Sequence, residues 1–250
     1  MEAVQPQLPK RHSRWVRVTH WIITISFFLL TFTGFMILMV HPRLYWGEVG
    51  NDLTPAIFEL PISRNYKHGG WTSSTAFFNN ENSPVTAGRT YDIFNQNGWA
   101  RSLHFLSAWF LVLTGLVYFI FGFTSGHFRK NLFPGKDSFS VSSIKTDVKS
   151  HISLQFPKPS GGPTYGSLQK LTYNLVVFFL LPLTIMTGFT MSPAITAAFP
   201  FLLKIFFGAQ SARTIHFFSS VSLVLFVLLH LTMVGMTGFK KHIKAMTIGS

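Results

Sequence analysis

Four stretches of the chain, roughly residues 15–40, 99–123, 168–191 and 214–239, each run for about 20 residues or more with few charges, nearly all at the ends. An α-helix needs that length of apolar sequence to cross the hydrocarbon core of a bilayer. Inside that core every backbone N–H and C=O must be satisfied within the protein, so a spanning chain is either helical or a closed barrel. The alternating segments of a barrel strand are absent from the sequence. Composition agrees: 48% of the residues are apolar, 28 of the 250 are Phe, and only 12% are charged. An ordinary soluble domain carries about twice that share of charge. The expected fold class is all-α: an integral-membrane four-helix bundle forming a single domain over residues 1–250, with a long extracytoplasmic loop between helices 1 and 2. The first apolar run has no small-residue cleavage site after it and reads as a spanning helix, not a removed signal.

The formal net charge of +13 raises the possibility of a nucleic-acid partner, but the placement of the charge argues for a membrane. With the N-terminus inside and four spans, segments 1–17, 124–167 and 239–250 lie on one side and hold 13 Lys/Arg against 3 acidic residues. The segment 41–98 on the other side holds 4 Lys/Arg against 5 acidic residues. This asymmetry follows the positive-inside rule and predicts that both termini are cytoplasmic. The location expected is a membrane with one cytoplasmic face, with lipid as the surrounding partner and no nucleic acid. With no cysteine in the chain, disulfides, Cys-ligated zinc or iron–sulfur centres and covalent haem attachment through C-x-x-C-H are excluded.

Three connections stand out. The segment 41–98, with Pro42, Pro55, Pro61, Pro84, Trp46, Trp71 and a polar run from Phe78 to Pro84, is too polar for lipid and is expected to cover the outer face and meet a partner. The segment 124–167 is basic and contains a Pro/Gly/Ser stretch from Phe156 to Pro163, which reads as a flexible inner connection. Residues 198–207 are too short to span and are expected to lie in the interface. A Thr-Gly pair recurs at Thr33-Gly34, Thr114-Gly115, Thr187-Gly188 and Thr237-Gly238. Close helix approach accounts for small residues there; a flat cofactor also needs a side without Cβ atoms, which Gly34 and Gly115 would provide.

Of ten histidines, His12, His41, His68, His127, His151 and His242 lie in loops or tails and read as surface residues. His20, His104, His216 and His230 fall within apolar runs, where a polar side chain is costly and marks function. His216 and His230 are 14 residues apart, which brings them to nearly one helix face, about 40° from in line and about 21 Å apart along the axis. Alternating span direction places His20 and His230 at one depth and His104 and His216 at the other. Zinc would want three or four ligands in one cluster. Two imidazoles from facing helices suit six-coordinate haem iron, which then has no open position for oxygen and carries electrons. Three of the four histidines follow an arginine by three residues: Arg17-x-x-His20, Arg101-x-x-His104 and Arg213-x-x-His216. On a helix these are neighbours. The arginine, one turn nearer water, is placed to pair with haem propionates, although snorkelling at a helix end explains any single copy equally well.

With these histidines, and with the segments Gln210–Phe217, Leu116-Val-Tyr-Phe119 and Ser125–Arg129, the chain resembles the bacterial four-helix dihaem cytochrome b family, which is cytochrome b561-like. That group includes the b-type cytochromes of nickel–iron hydrogenases, the membrane subunit of formate dehydrogenase and thiosulfate-reductase-type cytochrome b subunits. The resemblance covers nearly the whole chain. It implies two non-covalent b-type haems, ligated by His20 with His230 and by His104 with His216. It also implies a quinone site near the inner haem, for which Lys170, Tyr173 and Asn174 are candidates. The expected function is electron transfer across the bilayer between the quinone pool and a periplasmic redox subunit, such as a molybdopterin oxidoreductase, in a respiratory chain. The chain would be the electron-transfer subunit of an oxidoreductase complex, and whether it is itself an enzyme stays open. A stand-alone b561-type quinol or metal-ion oxidoreductase is the alternative, differing in its need for the 41–98 loop. A haem-free transporter or anchor fits less well, since transporters usually show more spans and internal symmetry.

Overall fold

The computed structural model describes residues 13–51, 54–62, 97–133, 145, 149 and 167–248. His12, His68, His151, most of the 41–98 loop and the Phe156–Pro163 stretch lie outside the described residues. Four helices are long and apolar enough to cross a membrane: Arg14–Val40, Gly98–Thr124, Leu168–Thr190 and Ala209–Thr247. They match the four apolar runs, so the expected all-α architecture holds. The elements are α1 (Arg14–Val40), a two-stranded ribbon β1 (Arg43–Leu44) and β2 (Phe58–Glu59), α2 (Asn97–Thr124), α3 (Ser167–Leu175), α4 (Leu181–Thr190), α5 (Pro193–Ala198), α6 (Phe201–Ile205) and α7 (Ala209–Thr247). The region expected to lie in the interface is therefore built as two short helices, α5 and α6.

The third span is not a uniform helix. Between α3 and α4 the backbone makes a π-turn over Val176–Leu180, and Pro182 follows in the first turn of α4. A proline lacks the N–H of a helix interior and its ring presses on the carbonyl four residues back; the wider turn gives it room. The last span starts five residues earlier than expected and breaks at Gly238, whose φ of 115° is open mainly to glycine. Beyond that break the chain is tied to the start of α1: Arg17 Nη1 donates to the Thr247 carbonyl at 2.8 Å and Trp21 Nε1 to the Met246 carbonyl at 3.0 Å.

The chain divides into two compact units. The first comprises Met1–Trp21, Thr114–Phe179 and Leu225–Ser250; the second comprises Ile22–Leu113 and Leu180–Val224. In the first, aromatic rings form the core. Phe128 is 1% exposed and meets Phe123 edge-on at 4.9 Å, Phe178 at 5.2 Å and Tyr118 at 5.4 Å. A Cβ at residue 122 would collide with the Phe128 ring, so Gly122 admits it. His127, expected at the surface, instead sits half-buried with its ring against Trp15 at 5.4 Å. It lies three residues beyond the end of α2 and directly before Phe128, whose packing it shares.

In the second unit the segment after α1 is knitted to the start of α7. The Gly47 carbonyl accepts from the N–H groups of Gln210 at 3.0 Å and Ser211 at 3.2 Å. The Glu48 carboxylate accepts from the Ala209 N–H at 3.3 Å, and the Gly47 N–H donates to the Ser211 hydroxyl at 2.6 Å. These contacts satisfy donors that a helix start otherwise leaves open. Thr214 Oγ1 donates to the Tyr45 carbonyl at 2.6 Å.

Around both units the helices turn large apolar side chains outward, among them Leu113, Leu116, Leu225, Leu228 and Leu229. Hydroxyls within the spans back-bond to their own helix, as Thr19 does to Trp15 and Thr190 to Met186, so they present no unsatisfied donor to lipid. The aromatic plug yields a prediction: Phe128→Ala should destabilise the protein by about 3–5 kcal/mol, read as a lowered unfolding midpoint in detergent, whereas Phe133→Ala at a partly exposed ring should cost less.

Candidate functional site

The second unit assembles its four helices around a pair of histidines. Phe32 of α1 packs on Trp99 of α2 at 6.2 Å, Trp109 of α2 on Phe189 of α4 at 6.0 Å, and Thr184 of α4 bonds Ser219 of α7 at 2.9 Å. Within this ring of contacts His104 of α2 and His216 of α7 face one another, with ring centroids 6.4 Å apart and planes at 63°. Two imidazoles on one metal, each with a metal–nitrogen bond of about 2 Å, have ring centres roughly 6 Å apart. At the observed separation the two rings could hold one metal ion between them.

The hydrogen bonds around these rings settle which nitrogen is available. His216 Nδ1 lies 2.9 Å from the Thr184 carbonyl and 3.1 Å from Thr187 Oγ1. A carbonyl only accepts, so Nδ1 carries the proton and donates. His104 Nδ1 lies 2.9 Å from Thr33 Oγ1. The Thr33 hydroxyl donates its own proton to the Leu29 carbonyl at 2.7 Å, so its oxygen accepts from Nδ1 of the ring. Assigned from these networks, both histidines hold the proton on Nδ1 and keep a lone pair on Nε2, the form in which a histidine ligates a metal.

Glycines follow both threonines. A Cβ at Gly34 would lie 3.5 Å from His104 Cε1, and one at Gly188 would lie 3.4 Å from His216 Cε1. No side chain stands between either helix backbone and the ring edge, and a methyl there would just touch it. At Gly115, the other glycine proposed for this role, an added Cβ would meet nothing within 4 Å. The Thr-Gly pair that matches Gly34 is therefore Thr187-Gly188, and Thr237-Gly238 serves the break in α7. The sequence marks Thr33 and Thr187 only as members of Thr-Gly pairs and gives no sign of the Thr184 carbonyl.

An apolar cavity of about 400 Å³ in the same unit is lined by Trp46, Phe58, Leu183, Ile215, Phe218 and Ser219, among others. Its hydroxyls donate within the protein, Ser219 to the His216 carbonyl and Ser222 to the Phe218 carbonyl, so the wall it offers is hydrocarbon in character.

In the first unit, Tyr173 of α3 and Phe226 of α7 lie against His230, with ring centroids 6.5 Å and 6.0 Å away. His20 lies on α1 with Trp21 edge-on at 5.7 Å. The three arginines differ. Arg101 is exposed. Arg213 donates through Nη2 to the His41 carbonyl. Arg17 bonds Thr247, and its Nε is buried with no hydrogen-bond partner among the described residues; an acceptor such as a carboxylate would satisfy it. Of the quinone candidates, Tyr173 OH accepts from Gln169 Nε2 at 2.9 Å. Asn174 Nδ2 donates to the Leu132 and Lys170 carbonyls, each at 2.8 Å, which joins α3 to the turn after α2. Lys170 is half-buried on the same helix.

The prokaryotic cytochrome b561 family matches residues 11–249. Over 228 residues, 90% of each chain, the sequence is 25% identical to a protein of Azospira oryzae that carries the name protein-methionine-sulfoxide reductase subunit YedZ1. No solved structure matches the chain.

Proposed function

Because this chain belongs to the prokaryotic cytochrome b561 family, a family of b-type haem electron carriers of the membrane, we propose that it holds two b-type haems and carries electrons across the inner membrane between the quinone pool and a periplasmic redox subunit. The observation that carries this reading is the His104–His216 pair, with centroids 6.4 Å apart and both Nδ1 atoms held by helix acceptors. Haem bound there supplies one-electron transfer without an open coordination position.

The chain's own groups divide the remaining work. His104 and His216 are the ligands of one site, in the second unit; His20 and His230 are those of the other, in the first. Arg17 Nε offers a buried donor for a propionate carboxylate, and Arg101 and Arg213 stand in the same sequence relation to their histidines. Tyr173, beside His230, together with Lys170 and Asn174 forms the quinone site. There the Tyr173 hydroxyl would supply a proton donor to a bound quinone. The excess of Lys/Arg on the segments 1–17, 124–167 and 239–250 supports cytoplasmic termini. The redox partner is a periplasmic molybdopterin oxidoreductase met through the 41–98 segment. Similarity to a chain named as a subunit of a reductase supports a partnered over a stand-alone role.

The purified protein should show b-type absorption on reduction, with two haems per chain. His104→Ala and His216→Ala should each lower the content to one, and a wild-type chain with a single haem would sink the scheme. Tyr173→Phe should keep both haems and slow haem reduction by quinol about tenfold; an unchanged rate would remove Tyr173 from the quinone site.

A further inference from the structure

Thr33 and Thr187 are both 0% exposed. They sit on different helices, α1 and α4, and each contacts Nδ1 of a different histidine, at 2.9 Å and 3.1 Å. A threonine buried in a spanning helix satisfies itself by donating to the carbonyl three or four residues back. Both do so: Thr33 to Leu29 at 2.7 Å and Thr187 to Leu183 at 2.8 Å. That bond leaves the hydroxyl oxygen with lone pairs only, aimed at the ring. Helix packing alone accounts for the back-bond. It does not account for two independent helices each placing the remaining lone pair on the same atom of a partner imidazole, with a glycine next in sequence clearing the ring edge.

We propose that Thr33 and Thr187 are positioning residues that set the ligand strength of His104 and His216, accepting from Nδ1–H so that Nε2 is the ligating nitrogen. This rests on the reading of the two histidines as haem ligands. An Nδ1–H that donates to an acceptor makes the opposite nitrogen more basic. A more basic ligand favours the oxidised metal. The hydroxyls therefore hold the potential of this site down. The His216 ring also has a backbone carbonyl in reach, that of Thr184. Loss of the Thr187 hydroxyl should therefore weaken that ligand without freeing its ring.

The test is a redox titration of the full-length protein, followed by visible absorption and with haem content measured in parallel, for the wild type, Thr33→Val and Thr187→Val. Valine keeps the shape and removes the acceptor. At fixed ambient potential each variant should raise the reduced-to-oxidised ratio of one haem about threefold, on the order of one lost hydrogen bond, and leave the other haem unchanged. Thr33→Ser and Thr187→Ser should restore the wild-type ratio. Full haem content with an unmoved potential in both valine variants overturns the inference while the haem assignment stands. Where a valine variant loses haem, the serine variant decides: recovery of content and ratio supports the role, and failure to recover with the hydroxyl in place overturns it. A wild type whose His104→Ala and His216→Ala forms keep full haem content would instead overturn the ligand assignment beneath it.

Discussion

An imidazole placed among apolar side chains has two nitrogens to satisfy, and the second unit is organised by how it does so. One nitrogen of each ring is met from a neighbouring helix, by Thr33 for His104 and by Thr184 and Thr187 for His216. The other, Nε2, keeps its lone pair. Each of these bonds joins two helices, α1 to α2 and α4 to α7, so the orientation of the rings and the packing of the spans are one set of contacts. In hydrocarbon there is no water to take over a lost partner. The Thr184–Ser219 bond reinforces the second of these joints, and the ties from Tyr45, Gly47 and Glu48 anchor the start of the helix that carries His216.

The first unit uses a different material. Its spans meet through aromatic edges, with Phe128 filled in against Phe123, Phe178 and Tyr118 where Gly122 makes room. Its histidine on α7 faces rings, Phe226 nearly parallel at 21° and Tyr173 tilted. A tyrosine hydroxyl gives this unit a proton-carrying group beside the His230 ring. The two units thus differ in the chemistry their residues offer.

The chain is a multi-pass protein of the bacterial inner membrane and a member of the prokaryotic cytochrome b561 family. A b-type haem carrier needs rigid ligands more than it needs moving parts, because changes in ligand geometry add to the cost of each electron transfer. Back-bonded hydroxyls, satisfied ring nitrogens and helix starts capped by a distant carbonyl and carboxylate all serve that rigidity.

Much of this was legible in the residues alone. Four long apolar runs dictate four spanning helices, because hydrocarbon leaves the backbone no other open form, and a histidine inside such a run announces a functional site by its cost. Span direction then sorts His104 with His216, as the fold finds. What the sequence could not determine is lateral: which side chain of one helix touches which of the next. That decided that Gly188, not Gly115, accompanies Gly34, that Thr33 and Thr187 hold the rings, and that Asn174 joins α3 to the turn after α2. It also turned His127 from an expected surface residue into part of an aromatic core. Helical periodicity places a residue on a face, but only the packed neighbours say what that face meets.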